Sequence, residues 1–401
     1  MSLTLKNVNI IDATTPEVRT GRNVLIEDGV ITQVTPGPPP DADRVIDLDG
    51  AYLLPGLWDV HTHLNKGTYG PEAAEEEALD LVPRVLEYAH HTMDALNMGV
   101  TSLRTVGVQG WADVALRDAF SAGKFKGPRL FCGGHALNTT AGHMADVDKP
   151  IDGPVAFVRA VRNEIMHYVN HIKLVTTGGI IGTGHDVMTN ITWLRGEMEA
   201  ALTIAKQRGV PAAVHATVPE AIKWAVNIGC RSIEHGYVMD EEAAWMMADK
   251  GVYYVPTLAL SHLTPEQADS DSVASYCEHH PLPDEFRERA NLFAPTHDRS
   301  FQMALDAGVK IASGSDQGPP GEAGLLEVEM LSKAGLGPYG AIVAATQTSA
   351  EVCGAGDRLG TIEPGKFADF IVIETNPLEN IQNLRRLQLV VSRGAVAVDK
   401  R

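Results

Sequence analysis

Cysteine is scarce: Cys132, Cys230, Cys277 and Cys353 are the only four in 401 residues, and none forms a CxxC pair. Neither a disulfide framework nor a thiolate zinc site is expected, and buried, reduced thiols are. Positive charge is scarce as well. Lysine and arginine total 33 against 51 acids, a formal charge of −18 that repels phosphate backbones and anionic lipid surfaces. Nucleic acid is therefore excluded as a natural partner. No stretch approaches ~18 consecutive apolar residues, which excludes a membrane-spanning helix from the expectation. The opening MSLTLKNVNIID has no basic region leading into an apolar run, so the chain reads as cytoplasmic. What is present, 44% hydrophobic and 21% charged residues, suits a globular protein with one large and one smaller domain.

Three short β-branched runs open the chain, TLKNVNIID, NVLIEDGVITQV and RVIDLDGAYLL, with turn-forming EDG, PGPPP and DLDG between and within them. Similar material closes it, at 358–374 (RLGTIEPGKFADFIVIE) and 387–398 (LQLVVSRGAVAV). The two ends are expected to combine into a small β-sandwich domain, residues 1–55 with 357–401, around a central domain of 56–356. In that centre, helices end at a glycine and an apolar strand follows almost at once. Five junctions show it: MGVTSLRTV, RGVPAAVHAT, IGCRSIEHG, KGVYYVPTL and AGVKIASGSD. Glycine supplies the left-handed cap, and continuously apolar strands fit a parallel sheet covered by helices.

Adding LLPGLWDVHTHL at 53–64, PRLFCGG at 128–134 and HIKLVTTGG at 171–179 brings the count to eight strands. That suits a TIM-type (β/α)8 barrel. A doubly wound sheet alternates in the same way, but here nearly every strand carries a reactive side chain at its C-terminal end, where barrel enzymes assemble their sites. The long, acidic, proline-containing segment 261–300 reads as a lid or substrate loop.

His61 and His63 stand two apart in WDVHTHL, which on a strand points both imidazoles to one side. His215 ends AAVHAT, His235 ends SIEHG and Asp316 ends ASGSDQG, each at the loop-facing end of its own strand. Four histidines and an acid at one rim suit a borderline divalent ion such as zinc. Lys173 lies in a strand suited to burial, where an unpaired ammonium is costly. Three readings fit it: an ion pair, a pKa-lowered amine acting chemically, or an amine carbamylated by carbon dioxide. Carbamylation would make it an anion whose two oxygens can bridge two metals. Other features take a plainer reading. TTGGIIGTGHD at 176–186 opens no helix in GxGxxG register, EAAEEEALD at 72–80 reads as a solvated helix start, and the pairs His90-His91 and His279-His280 read as surface or lid residues.

The ordered set PGLWDVHTHL, a lysine ending the fourth strand, HAT after the fifth, EHG after the sixth and SGSD after the eighth resembles the binuclear amidohydrolase superfamily. Within it, the subgroup similar to imidazolonepropionases and Xaa-Pro dipeptidases (prolidases) fits best, and the resemblance covers the barrel and both β segments. It implies two divalent ions, zinc by the donor set, with His61, His63 and Asp316 on one, His215 and His235 on the other, and carbamylated Lys173 between them. Imidazolonepropionases bind one metal and lack the bridging lysine, so Lys173 points to the dipeptidases. The implied chemistry is attack by a metal-bridging hydroxide on the scissile carbonyl, with Asp316 passing the proton to the departing amine.

His143 in GGHALNTTAGHMAD and Tyr237 after EHG are expected to touch the carbonyl or carboxylate of the substrate, with His135, His185 and His262 as competitors for that job. The expected substrates are L-Xaa-L-Pro dipeptides; the alternatives are dipeptides ending in Arg or Lys, N-acyl amino acids, cyclic amides and aromatic amides. A silent scaffold barrel would have lost ligands, and every ligand position is filled. Apolar helices on the barrel exterior make a homo-oligomer the expectation.

Overall fold

Five strands open the chain: β1 (Ser2–Ile10), β2 (Arg19–Glu27), β3 (Val30–Pro36), β4 (Arg44–Asp47) and β5 (Tyr52–Pro55). The computed structural model describes residues 2–67, 74–76, 78–144, 150–182 and 184–401. β2 and β3 pair antiparallel across Asp28 and Gly29, both at positive φ (48° and 83°), the backbone that a two-residue hairpin turn needs.

The central segment supplies two parallel sheets. β6 (Leu57–Thr62), β7 (Val100–Thr105) and β8 (Arg129–Phe131) form one. β9 (Ala136–Leu137), β10 (Ile172–Val175), β11 (Ala212–Ala216), β12 (Ser232–His235) and β13 (Tyr253–Val255) form the other. The segment holding both β8 and β9 joins the sheets on one side. On the other, Tyr254 bridges Ile311 in parallel, Val60 N donates to Ser313 O at 2.9 Å, and Asp316 N donates to His61 O at 2.7 Å. Residues 310–316 thus run between β13 and β6. The glycines that end the helices at the five junctions, Gly99, Gly209, Gly229, Gly251 and Gly308, all take positive φ, as their left-handed caps require.

The chain closes with β14 (Phe370–Ile373), β15 (Leu387–Ser392) and β16 (Ala395–Asp399). These share one sheet with β1–β5, in the order β16-β15-β14-β5-β1-β2-β3, with β4 beside β1. Its two faces serve different cores. Phe370 and Val372 pack with Leu5, Ile10, Ile26 and Leu53, whereas Ile371 and Ile373 point into the large core beneath the helices. An unbroken apolar FIVI is what a strand covered on both faces requires.

Several expectations shift. The single strand read at 53–64 is two: β5 pairs antiparallel with β14, and β6 starts the parallel set. Gly56 marks the break, where a Cβ would lie 2.1 Å from Thr101 Oγ1. The strand read at 307–316 is reduced to a bridge at Ile311 and the hydrogen bonds just given. The segment 261–300 is mostly helical: Leu258–His262, Asp271–His279 and Asp284–Asp306. Ser270 caps the second of these by accepting from Val273 N, and Asp284 and Glu285 favour the start of the third. In the acidic run, residues 72, 73 and 77 lie outside the described residues, while 74–76 are helical. Among the described residues, all four cysteines are free and no helix is long and apolar enough to cross a membrane.

Truncating Phe370, which is 0% exposed, should leave a cavity in the terminal sheet's core. Phe370→Ala is expected to cost about 3–5 kcal/mol, read as a lower urea midpoint; an unchanged midpoint would show that this core does not stabilise the fold.

Candidate metal centre

The predicted residues converge toward the C-terminal ends of the parallel strands, except that Lys173 is the second residue of β10 and does not end it. His61, near the end of β6, places Nε2 3.2 Å from Lys173 Nζ and 3.6 Å from Asp316 Oδ1. Beyond it, His63 Nε2 lies 3.2 Å from the same Asp316 oxygen. The His235 ring is 4.8 Å from that of His61 and 4.4 Å from that of His215. Ligand atoms of His61, His235 and Asp316 all lie within 4.8 Å of one another.

The remaining nitrogens decide which lone pairs face inward. His61 Nδ1 donates to Glu234 Oε2 at 2.7 Å, and His63 Nδ1 to Gly107 O at 3.0 Å, so both Nε2 atoms are left unprotonated toward Asp316. His215 Nε2 donates to Gly178 O at 3.0 Å, leaving Nδ1 free. Histidines that spend one nitrogen on a protein acceptor and keep the other bare are dressed as metal ligands. The donor set fits a divalent ion such as zinc on that ground.

Burial and charge act together here. Lys173 is 2% exposed, and burial lowers its amine to about 8 against the pull of Glu234 and Asp316. Burial, then Lys173, depresses His61 to about 4. Burial also works to raise Asp316, but His61, His63 and Lys173 outweigh it and hold the carboxyl well below the usual range.

Three residues at or beside the centre hold left-handed backbone without being glycine: His235 (φ 71°), Thr257 (54°) and Asp316 (53°). Each such position costs on the order of 1–3 kcal/mol and persists only where surrounding contacts enforce it.

His143 joins the cluster. Its ring stacks on His215 at 5.0 Å and its Nδ1 meets Asp186 Oδ2 at 2.5 Å. Tyr237 is buried with its ring 5.5 Å from His235. The competing histidines are engaged elsewhere: His135 with Glu164 at 3.2 Å, His262 with Asp298 at 3.0 Å, and His185 is exposed. His91 departs from its surface reading. It is 6% exposed and its Nδ1 donates to Leu64 O at 2.9 Å. His90 and His279 are exposed as read, and His280 is half-buried against Tyr276.

Sequence reasoning passed over the groups that hold the histidines. Glu234 is fully buried, and Arg104 grips its two oxygens at 2.9 and 2.8 Å. Burial would raise Glu234, yet Arg104 keeps it well below the usual range. Asp59 accepts from His61 N and from Ser315, with burial pushing it up to about 7. A signal for the first pair was available: Ser102 and Arg104 on β7, and Ser232 and Glu234 on β12, each stand two apart in strands otherwise apolar.

Comparison with known proteins agrees with this geometry. The amidohydrolase family model, whose members generally use divalent metals, matches residues 52–397. An ochratoxinase of Aspergillus niger is 29% identical over 357 residues, spanning 82% of this chain and 72% of its own. The solved structure of a Xaa-Pro dipeptidase with bound methionine superposes with a TM-score of 0.86 at 29% identity, covering 99% of each chain. A prolidase complexed with N-methylphosphonate-L-proline gives 0.88 at 26% identity over 100% of both chains. With the matched residues spanning nearly the whole chain, this protein belongs to the amidohydrolase family and is a hydrolase acting on C–N bonds.

Proposed function

We propose that the protein is a binuclear metal-dependent dipeptidase that cleaves small L-Xaa-L-Pro substrates. The observation that carries this reading is the placement of Lys173. Its amine is buried and hydrogen-bonded to the unprotonated His61 Nε2 at 3.2 Å, and no carboxylate among the described residues lies within ion-pair distance. An ion pair therefore does not account for it. A neutral amine is the form that carbon dioxide carbamylates, and the resulting anion would bridge two zinc ions, with His61, His63 and Asp316 on one side and His215 and His235 on the other.

Such ions, when bound, would acidify a water and polarise the scissile carbonyl. The chain's own groups do the rest. Asp316 can take a proton on its carboxylate and deliver it to the departing amine, without which an amide has a poor leaving group. His143, anchored by Asp186, and Tyr237, packed against His235, would orient the substrate's carbonyl and carboxylate. The likeness to a prolidase complexed with a proline phosphonate supports the choice of C-terminal proline. The likeness to an ochratoxinase favours a second reading, hydrolysis of an amide other than a dipeptide.

We read the scaffold as a (β/α)8 barrel of residues 56–356 with a β-sandwich domain from 1–55 and 357–401. The continuous segment through β8 and β9 at one edge of the parallel sheets and the hydrogen bonds at the other support the first part, and the separate core of the terminal sheet supports the second. Free cysteines suit the cytoplasm. Exposed Trp245 and Leu292 would suit self-association.

Lys173→Ala should abolish turnover and lower zinc content below two per chain; a variant with two zinc ions and full activity contradicts the bridging role. Because the folded amine is lowered to about 8, its neutral fraction rises with pH up to that value. Reconstitution of metal-free protein with zinc, at a dissolved carbon dioxide concentration held constant across the pH series, should therefore speed up roughly tenfold per pH unit below about 8 and level off above it; a flat profile under that condition would argue against an amine that must first lose a proton. Against a dipeptide library varied at both positions, kcat/KM should peak at C-terminal proline. A peak on N-acyl or other amides would select the second reading.

A further inference from the structure

Of the left-handed residues around the centre, Thr257 is the least expected, since a β-branched side chain disfavours that backbone more than histidine or aspartate does. The structure shows what holds it there. Glu327, fully buried on the helix Pro320–Leu331, accepts Leu258 N–H on Oε1 at 3.1 Å and Ala259 N–H on Oε2 at 2.7 Å. These are the two amides immediately after Thr257, so one carboxylate pins both and fixes the turn.

The turn in turn aims a hydroxyl. Thr257, itself 0% exposed, donates its proton to Pro256 O at 2.6 Å. Its oxygen can then only accept from His235 Nδ1, 2.8 Å away. That contact leaves the proton on Nδ1 and the lone pair on Nε2.

We infer that Glu327 and Thr257 are a positioning pair for His235: the carboxylate fixes the left-handed turn, and the turn's hydroxyl fixes the imidazole in the tautomer and orientation that bind a metal. Neither residue touches the reacting atoms. The inference rests on the proposed metal site, with His235 as a ligand. The two oxygens of Glu327 serve the two amides one each. A glutamine would offer one acceptor and turn its NH2 toward the second amide N–H.

The test uses the full-length protein loaded with Co2+, whose visible absorption reports ligand geometry, with affinity measured by chelator competition. Thr257→Val, or Thr257→Ala should the valine protein not fold, is expected to weaken cobalt binding at one of the two positions by about 10–100-fold and to alter the absorption bands. Glu327→Gln should do the same. Thr257→Ser, which keeps the hydroxyl, should retain wild-type affinity and spectrum. In the Thr257→Val background, adding Glu327→Gln should cause little further loss, because its effect passes through the missing hydroxyl. Wild-type binding in the hydroxyl-less variant, an equal loss in Thr257→Ser, or fully additive losses in the double variant would overturn the positioning role. Wild-type protein that bound no cobalt would overturn both the pairing and the metal-site reading beneath it.

Discussion

Burying a lysine amine among imidazoles sets the terms for the groups around it. The Lys173 amine finds one acceptor, the bare Nε2 of His61 at 3.2 Å, because His61 Nδ1 keeps its proton and donates it in a hydrogen bond to Glu234. Burial accordingly drives the amine toward its neutral form. Nearby, Arg104 neutralises Glu234, whereas Asp316 stays ionised with imidazoles and the lysine as its company. The buried centre therefore holds an ionised carboxylate among imidazoles and a lysine amine that burial lowers to about 8. Such a group of buried ionisable side chains could hold a divalent cation and is poorly suited to a packing role.

Beneath this layer, the fold supplies rigidity where the chemistry needs it. The Arg104–Glu234–Ser232 cluster lies inside the parallel strands and orients His61 from below. Strain is concentrated one layer higher, at His235, Thr257 and Asp316, where positive φ turns side chains that would otherwise follow the strand's alternation. Glu234 and His235 are neighbours on β12, and regular alternation would send them to opposite faces. The left-handed backbone at His235 ends the strand, and the two side chains serve the same site from different heights.

Much of this was legible in the sequence, for a physical reason. Strand ends preceded by apolar runs and followed by loops pick out His61, His215, His235 and Asp316 without any coordinates, and the structure brings them together with Lys173 and His63. Glycine caps marked the helix ends correctly at the five junctions. What escaped were contacts that depend on where one element meets another. Nothing local to Glu327 says that it will reach the amides after Thr257, nearly seventy residues earlier, and nothing in LLPGLWDV says that its first half will pair with β14. The helical insertion was missed because its acidic, proline-containing composition resembles a loop, while Ser270 and the acids at 284–285 act only as helix starts once tertiary packing rewards them.

The central claim is that two ions share one lysine-derived bridge. A crystal structure of the zinc-loaded protein, with diffraction collected at the zinc absorption edge, addresses it most directly. The account predicts two anomalous peaks, one beside His61, His63 and Asp316 and one beside His215 and His235, with density continuing past Lys173 Nζ to reach both. A single peak, or an unmodified lysine side chain ending short of the ions, would contradict it.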